Sequence, residues 1–248
     1  MHRLPILAAA ATLIAGCVTT HKQAQAQAQT ELGAAYLREG NAPAALEVLG
    51  KAVKEDPRNW EAWDRLGLAY WAQGDFARSE KAFARGVHLV PDKAEINNNY
   101  GLMLMAMGRN GEAISRFEEA RKDLLYRKPA LVLNNLGHAL YLEGRYQESL
   151  AVLDQALQRA PELCNAHFHR ALVYEALDRK DGALSSYDEV IRLCGASAPG
   201  AWYHAGLLLV ERGDREAACA YFSSAIEAVA PGSDLYQAAT SRKALDCP

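Results

Sequence analysis

The chain has 248 residues, 50% hydrophobic and 23% charged, with a formal net charge of −3 at pH 7. That balance gives one or two globular domains ample core. With no basic stripe, it argues against nucleic acid as a partner. No run of 18 apolar residues occurs, so no membrane-spanning helix is expected.

The N-terminus, "MHRLPILAAAATLIAGC", opens with the cationic Arg3, runs apolar from Leu4 to Ala15, and ends in small residues before Cys17. This is the pattern of a secretory signal peptide, expected over residues 1–16 and removed on export. Ile14-Ala15-Gly16-Cys17 also resembles the bacterial lipobox. That resemblance implies lipidation of Cys17: diacylglycerol on its thiol and further acyl chains such as palmitate, in place of any cofactor. Several chains on one residue anchor durably, where one alone is marginal. Val18, rather than Asp, follows the cysteine. In lipoproteins of enteric-type bacteria this implies sorting to the outer membrane, facing the periplasm. Residues 17–25 are polar and rich in Gln and Ala, and read as a tether whose later part can pair as helix.

From residue 26 to 232 the chain repeats with a period near 34, in six repeats at 26–59, 60–93, 94–129, 130–163, 164–198 and 199–232. The marker is a pair ending in a small residue: Leu32-Gly33, Leu66-Gly67, Tyr100-Gly101, Leu136-Gly137, Arg170-Ala171 and Ala205-Gly206. A turn glycine follows at Gly40, Gly74, Gly108, Gly144 and Gly213, with Asp178 the exception. Each second half carries small, large and small residues at spacings of four and three, for example Ser79, Phe83 and Gly86. Those spacings mark one face of a helix. Repeats close at Pro57, Pro91, Pro161 and Pro231, where the missing N–H ends a helix. Residues 233–248 read as a capping helix with Ser233 or Asp234 as N-cap.

This pattern resembles the tetratricopeptide repeat. The resemblance implies an all-α fold: a right-handed superhelix of about six helix-turn-helix repeats plus the C-terminal capping helix. Beyond Cys17 the chain has four cysteines, an even number that allows three pairings. The antiparallel helices of repeat 5 bring the start of its first helix near the end of its second. The capping helix likewise returns along the second helix of repeat 6. The expected pairs are therefore Cys164–Cys194 and Cys219–Cys247, in keeping with an oxidising compartment.

No phosphate-binding loop, HExxH or GxSxG occurs. Cys164 and His167 share a helix face, but a structural metal site wants four ligands, so no metal is expected. The chain reads as a binding module and not an enzyme, with no small-molecule substrate. In tetratricopeptide repeats, first-helix positions 2, 5, 9 and 12 line a concave groove. Here they include Asp64, Leu68 and Trp71; Asn98, Leu102 and Met105; Asn134, His138 and Tyr141; and Phe168, Leu172 and Glu175. Trp71, Leu68, Leu102, Met105 and Tyr141 would form an apolar strip, with Asn98 and Asn134 clamping a peptide backbone.

The third repeat runs to 36 residues. It opens on Asn98-Asn99-Tyr100-Gly101 and joins repeat 4 through "KDLLYRKPALVLNNLG". With the lipobox and six repeats, this resembles the secretin pilotins of type IV pili, the PilF/PilW/Tgl family. The acidic charge and C-terminal cysteines are most similar to its myxobacterial Tgl branch. The resemblance implies an outer-membrane lipoprotein that binds pilus secretin subunits and promotes their multimerisation for pilus biogenesis and motility. The alternative is a periplasmic scaffold docking cell-wall hydrolases or other envelope enzymes. At the junction itself, Leu124, Leu125 and Tyr126 are expected to pack the joint between the two repeats.

Overall fold

The computed structural model describes the backbone of residues 6–247 and the side chains of residues 20–247. The expectation of lipid on Cys17, and the side chains of the 1–16 leader, lie outside the described residues. Two compact units divide the chain, Met1–Tyr126 and Arg127–Pro248. The first holds α1 (Ile6–Arg38), α2 (Ala42–Glu55), α3 (Trp60–Ala72), α4 (Phe76–Leu89), α5 (Ala94–Ala106) and α6 (Asn110–Ala120). The second holds α7 (Pro129–Leu142), α8 (Tyr146–Arg159), α9 (Cys164–Ala176), α10 (Lys180–Cys194), α11 (Pro199–Arg212), α12 (Arg215–Glu227) and α13 (Asp234–Asp246). A 3-10 turn, Gly195–Ser197, precedes α11, and no strand occurs among the described residues. No described helix is long and apolar enough to cross a membrane.

Each odd-numbered helix from α1 to α11 pairs with the next as a hairpin, and α13 packs on α12 and α11. First helices stand side by side: α1 with α3 and α3 with α5 in the first unit, and α7 with α9 in the second. The small residue of each marker pair makes the hairpin possible. A Cβ on Gly67 would lie 2.8 Å from the Phe83 ring, and one on Gly101 2.6 Å from the Phe117 ring. Both rings are fully buried. The serine at the facing small position also bonds across the hairpin: Ser79 Oγ donates to the Gly67 carbonyl at 2.8 Å, and Ser149 Oγ to that of Gly137 at 2.6 Å. Buried hydroxyls need such partners.

Turns and helix ends follow from local chemistry. The glycine after each first helix takes a left-handed φ, +73° at Gly74 for example, and Asp178 takes the same role at +53°. Pro57, Pro91 and Pro161 sit two residues beyond α2, α4 and α8, whereas Pro129 and Pro199 open α7 and α11. Proline's fixed φ suits that first helical position, where no N–H is needed. Asn41, Asn59, Asp75 and Asp214 cap α2, α3, α4 and α12, and Ser233 caps α13 by accepting from the Tyr236 N–H.

Residues 17–25 lie inside α1, whose Ala/Gln run favours helix. One expectation is corrected here. The junction leucines do not pack the joint. α6 stops at Ala120, and the chain makes two tight turns through residues 121–126. Asp123 pins them, accepting from the Leu125 N–H at 3.1 Å and from the Ala94 N–H at 3.2 Å. Leu124 and Leu125 are thereby thrown outward, 93% and 90% exposed, and of the three only Tyr126 is partly buried.

Candidate functional site

In the first unit the expected groove positions lie on α3 and α5. Leu68, Trp71, Leu102 and Met105 are half-buried, as ring and aliphatic groups on an accessible helix face should be. Asp64 is not part of that accessible strip, because it is fully buried. Asn99 Nδ2 donates to its Oδ1 at 3.0 Å and to its Oδ2 at 3.1 Å, and Arg65 reaches Oδ2 at 3.1 Å. Arg65 then bonds Glu95 at 2.8 Å. Burial pushes the Asp64 carboxyl up to about 7, against the pull of Asn99 and Arg65. This network ties α3 to α5. Position 5 alone did not announce it; the signal was Asn99, one residue beyond the expected Asn98. Asn98, the expected backbone clamp, is itself buried, at 8% exposure.

In the second unit Tyr141 and His138 are half-buried on α7. Asn134, the other expected clamp, is buried: its Oδ1 lies 2.9 Å from His169 Nδ1 and its Nδ2 donates to Asn135. The His138 and His169 rings stack with centroids 4.1 Å apart, and His138 continues to Tyr141 at 6.4 Å. Burial, then the neighbouring His138, pushes His169 down to about 3. Phe168 and Leu172 are half-buried on α9, and Glu175 lies 3.5 Å from His204 Nδ1. Phe168 and Tyr187 each approach the His204 ring, at 6.0 and 5.5 Å. Sequence reasoning missed His169, Tyr187 and His204, because their positions are not those of the groove pattern.

A second pattern recurs at the fourth position of the first helix. Trp63 Nε1 donates to the Pro57 carbonyl at 3.0 Å, Asn97 Nδ2 to that of Pro91 at 2.7 Å, and His167 Nε2 stands 2.8 Å from that of Pro161. Three different side chains thus satisfy the same carbonyl at the close of the preceding repeat. This occupies His167, whose Nδ1 faces Arg170 at 3.3 Å. Cys164 is paired instead with Cys194, their Cα atoms 6.5 Å apart, and Cys219 with Cys247 at 5.7 Å. Both separations fit a cross-link. Among the described residues no three His, Cys, Asp or Glu side chains gather as a metal site would require. The arrangement offers half-exposed apolar and aromatic surface on helix faces, the chemistry of protein recognition.

Comparison with known proteins agrees with this geometry. A 134-residue stretch, half of the chain, is 29% identical to the type IV pilus assembly protein PilF of Pseudomonas aeruginosa. That match spans about half of the relative's length, at 53%. The fold superposes on the crystal structure of PilW, described as a widely conserved type IV pilus biogenesis factor, with a TM-score of 0.78. That match has 23% identity and covers 86% of this chain and 96% of PilW. A structure of Pseudomonas aeruginosa PilF gives the same TM-score and identity, over 90% and 100% of the two chains. The tetratricopeptide repeat profile matches residues 30–94, 65–123, 101–163, 134–198 and 168–233. With nearly all of the repeat region matched, and five of the six hairpins built on the same contact between a glycine and a large side chain, the chain belongs to the tetratricopeptide repeat family.

Proposed function

We propose that this protein is an assembly factor of the type IV pilus: a lipid-anchored pilotin on the periplasmic face of the outer membrane that holds secretin subunits. The observation that carries the reading is the sequence similarity to PilF of Pseudomonas aeruginosa. The lipobox-like Ile14-Ala15-Gly16-Cys17 supplies the membrane address. On the first unit, the half-buried apolar side chains of Leu68, Trp71, Leu102 and Met105 supply grip for a secretin segment; on the second, Tyr141 offers a half-buried ring of the same chemistry. No reaction is involved. Fixing the binder at the membrane raises the local concentration of its cargo there, and multimerisation gains from that concentration. In that oxidising compartment the pairs Cys164–Cys194 and Cys219–Cys247 are disulfides.

The test is secretin assembly in cells carrying Trp71→Ala with Tyr141→Ala. Both residues are only partly buried, so the variant should fold, as circular dichroism would check. The expected result is secretin that stays monomeric while the variant remains at wild-type level. Normal heat-resistant multimers would overturn the groove assignment. Pull-down of the wild-type chain from detergent-solubilised envelopes tests the partner class. Bound secretin supports the reading, and bound amidases or transglycosylases without secretin would replace it with an enzyme-docking scaffold.

A further inference from the structure

We infer that the turn at Leu124–Leu125 is a second membrane contact, an apolar wedge that enters an anionic lipid surface. At 93% and 90% exposure these leucines stand apart: among the described residues Leu245 is next at 75%, and no other exposed large apolar side chain passes 46%. Two adjacent leucines left in water on a folded protein call for a partner. The turn is held by hydrogen bonds. Asp123 accepts from the Leu125 and Ala94 N–H groups, and the Tyr126 N–H returns to the Asp123 carbonyl at 3.2 Å. Val90 and Pro91 border the same shallow cleft and extend the apolar surface.

Charge identifies the occupant. The stretch reads Arg-Lys-Asp-Leu-Leu-Tyr-Arg-Lys over residues 121–128: four basic residues and one acidic, in a chain that is net negative. Arg121, Lys122, Arg127 and Lys128 are all exposed. Arg121 and Lys122 rest on Glu118 and Glu119 at 3.3 and 2.8 Å. Such surface pairs are weak and give way to other anions. An apolar tip flanked in sequence by cations matches a bilayer edge, where acyl chains lie beneath anionic headgroups. A protruding tip also suits a fluid surface, which moulds to it, better than a preformed partner. Such a contact would add to an N-terminal anchor and orient the repeats against the membrane. It does not depend on which protein the repeats hold.

The experiment uses the full chain with vesicles of phosphatidylethanolamine and phosphatidylglycerol containing acyl-brominated lipid. A reporter tryptophan is introduced as Leu125→Trp, with Leu245→Trp as the control at the other exposed leucine. Emission of the wild-type chain, which has four tryptophans, is subtracted. Melting curves matching wild type confirm the fold, and Leu124→Trp provides a second reporter. The expected result is loss of emission for the Leu124 and Leu125 reporters but not for Leu245→Trp, weakened when phosphatidylcholine replaces the anionic mixture. No loss, or equal loss at Leu245→Trp, would overturn the proposal. So would a blue shift that appears only when purified secretin is added, because the leucines would then face protein.

Discussion

Asn99 holds both oxygens of the buried Asp64 carboxyl, at 3.0 and 3.1 Å, and so locks α3 to α5 from the polar side. The group is costly when charged, because burial raises its pKa to about 7 despite Asn99 and Arg65. In the unfolded chain an aspartate titrates near about 3.9. The folded state therefore holds the proton more tightly. The stability this gives is fully present below about pH 4 and is lost as pH rises through about 7. Asp64→Asn should keep the Asn99 contact and remove this dependence. Urea unfolding at about pH 5 and about pH 8 should show the variant gaining on wild type by ~2 kcal/mol across the interval. Parallel pH profiles for the two proteins would show that Asp64 is not the titrating group.

The stacked His138–His169 pair works in the opposite sense, in the other unit. Burial, and secondarily His138, takes His169 down to about 3, and burial also lowers His138. A histidine in the unfolded chain titrates near about 6.5. The neutral form is what the fold accommodates, so this stability is present above about pH 6.5 and is lost as pH falls toward 3. His169→Gln retains a donor for the Asn134 oxygen without the titration. Thermal melts should show wild type losing on the order of 2 kcal/mol more than the variant between about pH 7 and about pH 5. Equal losses would count against the pair.

Asp178 is the one described residue other than glycine with a left-handed φ, +53°, at a turn where other repeats use glycine. A side chain there costs backbone energy that glycine avoids. Its 3.7 Å approach to Lys180 is an exposed pair and offsets little. Asp178→Gly should stabilise the protein by ~0.5–1 kcal/mol, read as a higher urea midpoint with unchanged slope. A lower midpoint would mean that the carboxylate contributes more than the strain costs.

The hairpins were legible in the sequence because their contacts are local and repeated. Gly67 against Phe83 recurs as Gly101 against Phe117 and Gly206 against Phe222, so one geometric rule writes itself several times over. The placement of Cys164 beside Cys194 follows from the same hairpin geometry. What the repeat could not show lies where neighbouring repeats differ. Asp64 occupies a groove position, yet it is drawn inward by Asn99 one repeat later, a contact 35 residues away that no period predicts. Asn134 is likewise taken by His169. At the 36-residue repeat, large apolar residues were read as core by type. Two hydrogen bonds to Asp123 instead turn the leucines out, and side-chain type alone says nothing about such a turn.

α13 is held differently from the helices before it. Ala239 is its one buried residue, and Leu245 is 75% exposed. Little apolar area therefore ties it down, whereas α10 buries Tyr187 and Val190 and α12 buries Phe222. Cys247, at its end, packs against the cluster around Phe222 and pairs with Cys219 on α12. As the proposed disulfide, this pair would join residues 28 positions apart, worth ~3–4 kcal/mol by loop entropy. For a helix with so small a packed face, that is enough to decide whether it stays docked. Cys219→Ser with Cys247→Ser should therefore open α13 locally, with its amides exchanging rapidly while α11 and α12 keep their protection. Cys164→Ser with Cys194→Ser should lower the global unfolding free energy by a similar amount without freeing α9 or α10, whose core remains. Hydrogen exchange resolved by peptide distinguishes the two. If α13 stays protected without its cross-link, packing on α12 suffices and the pair is not what holds it.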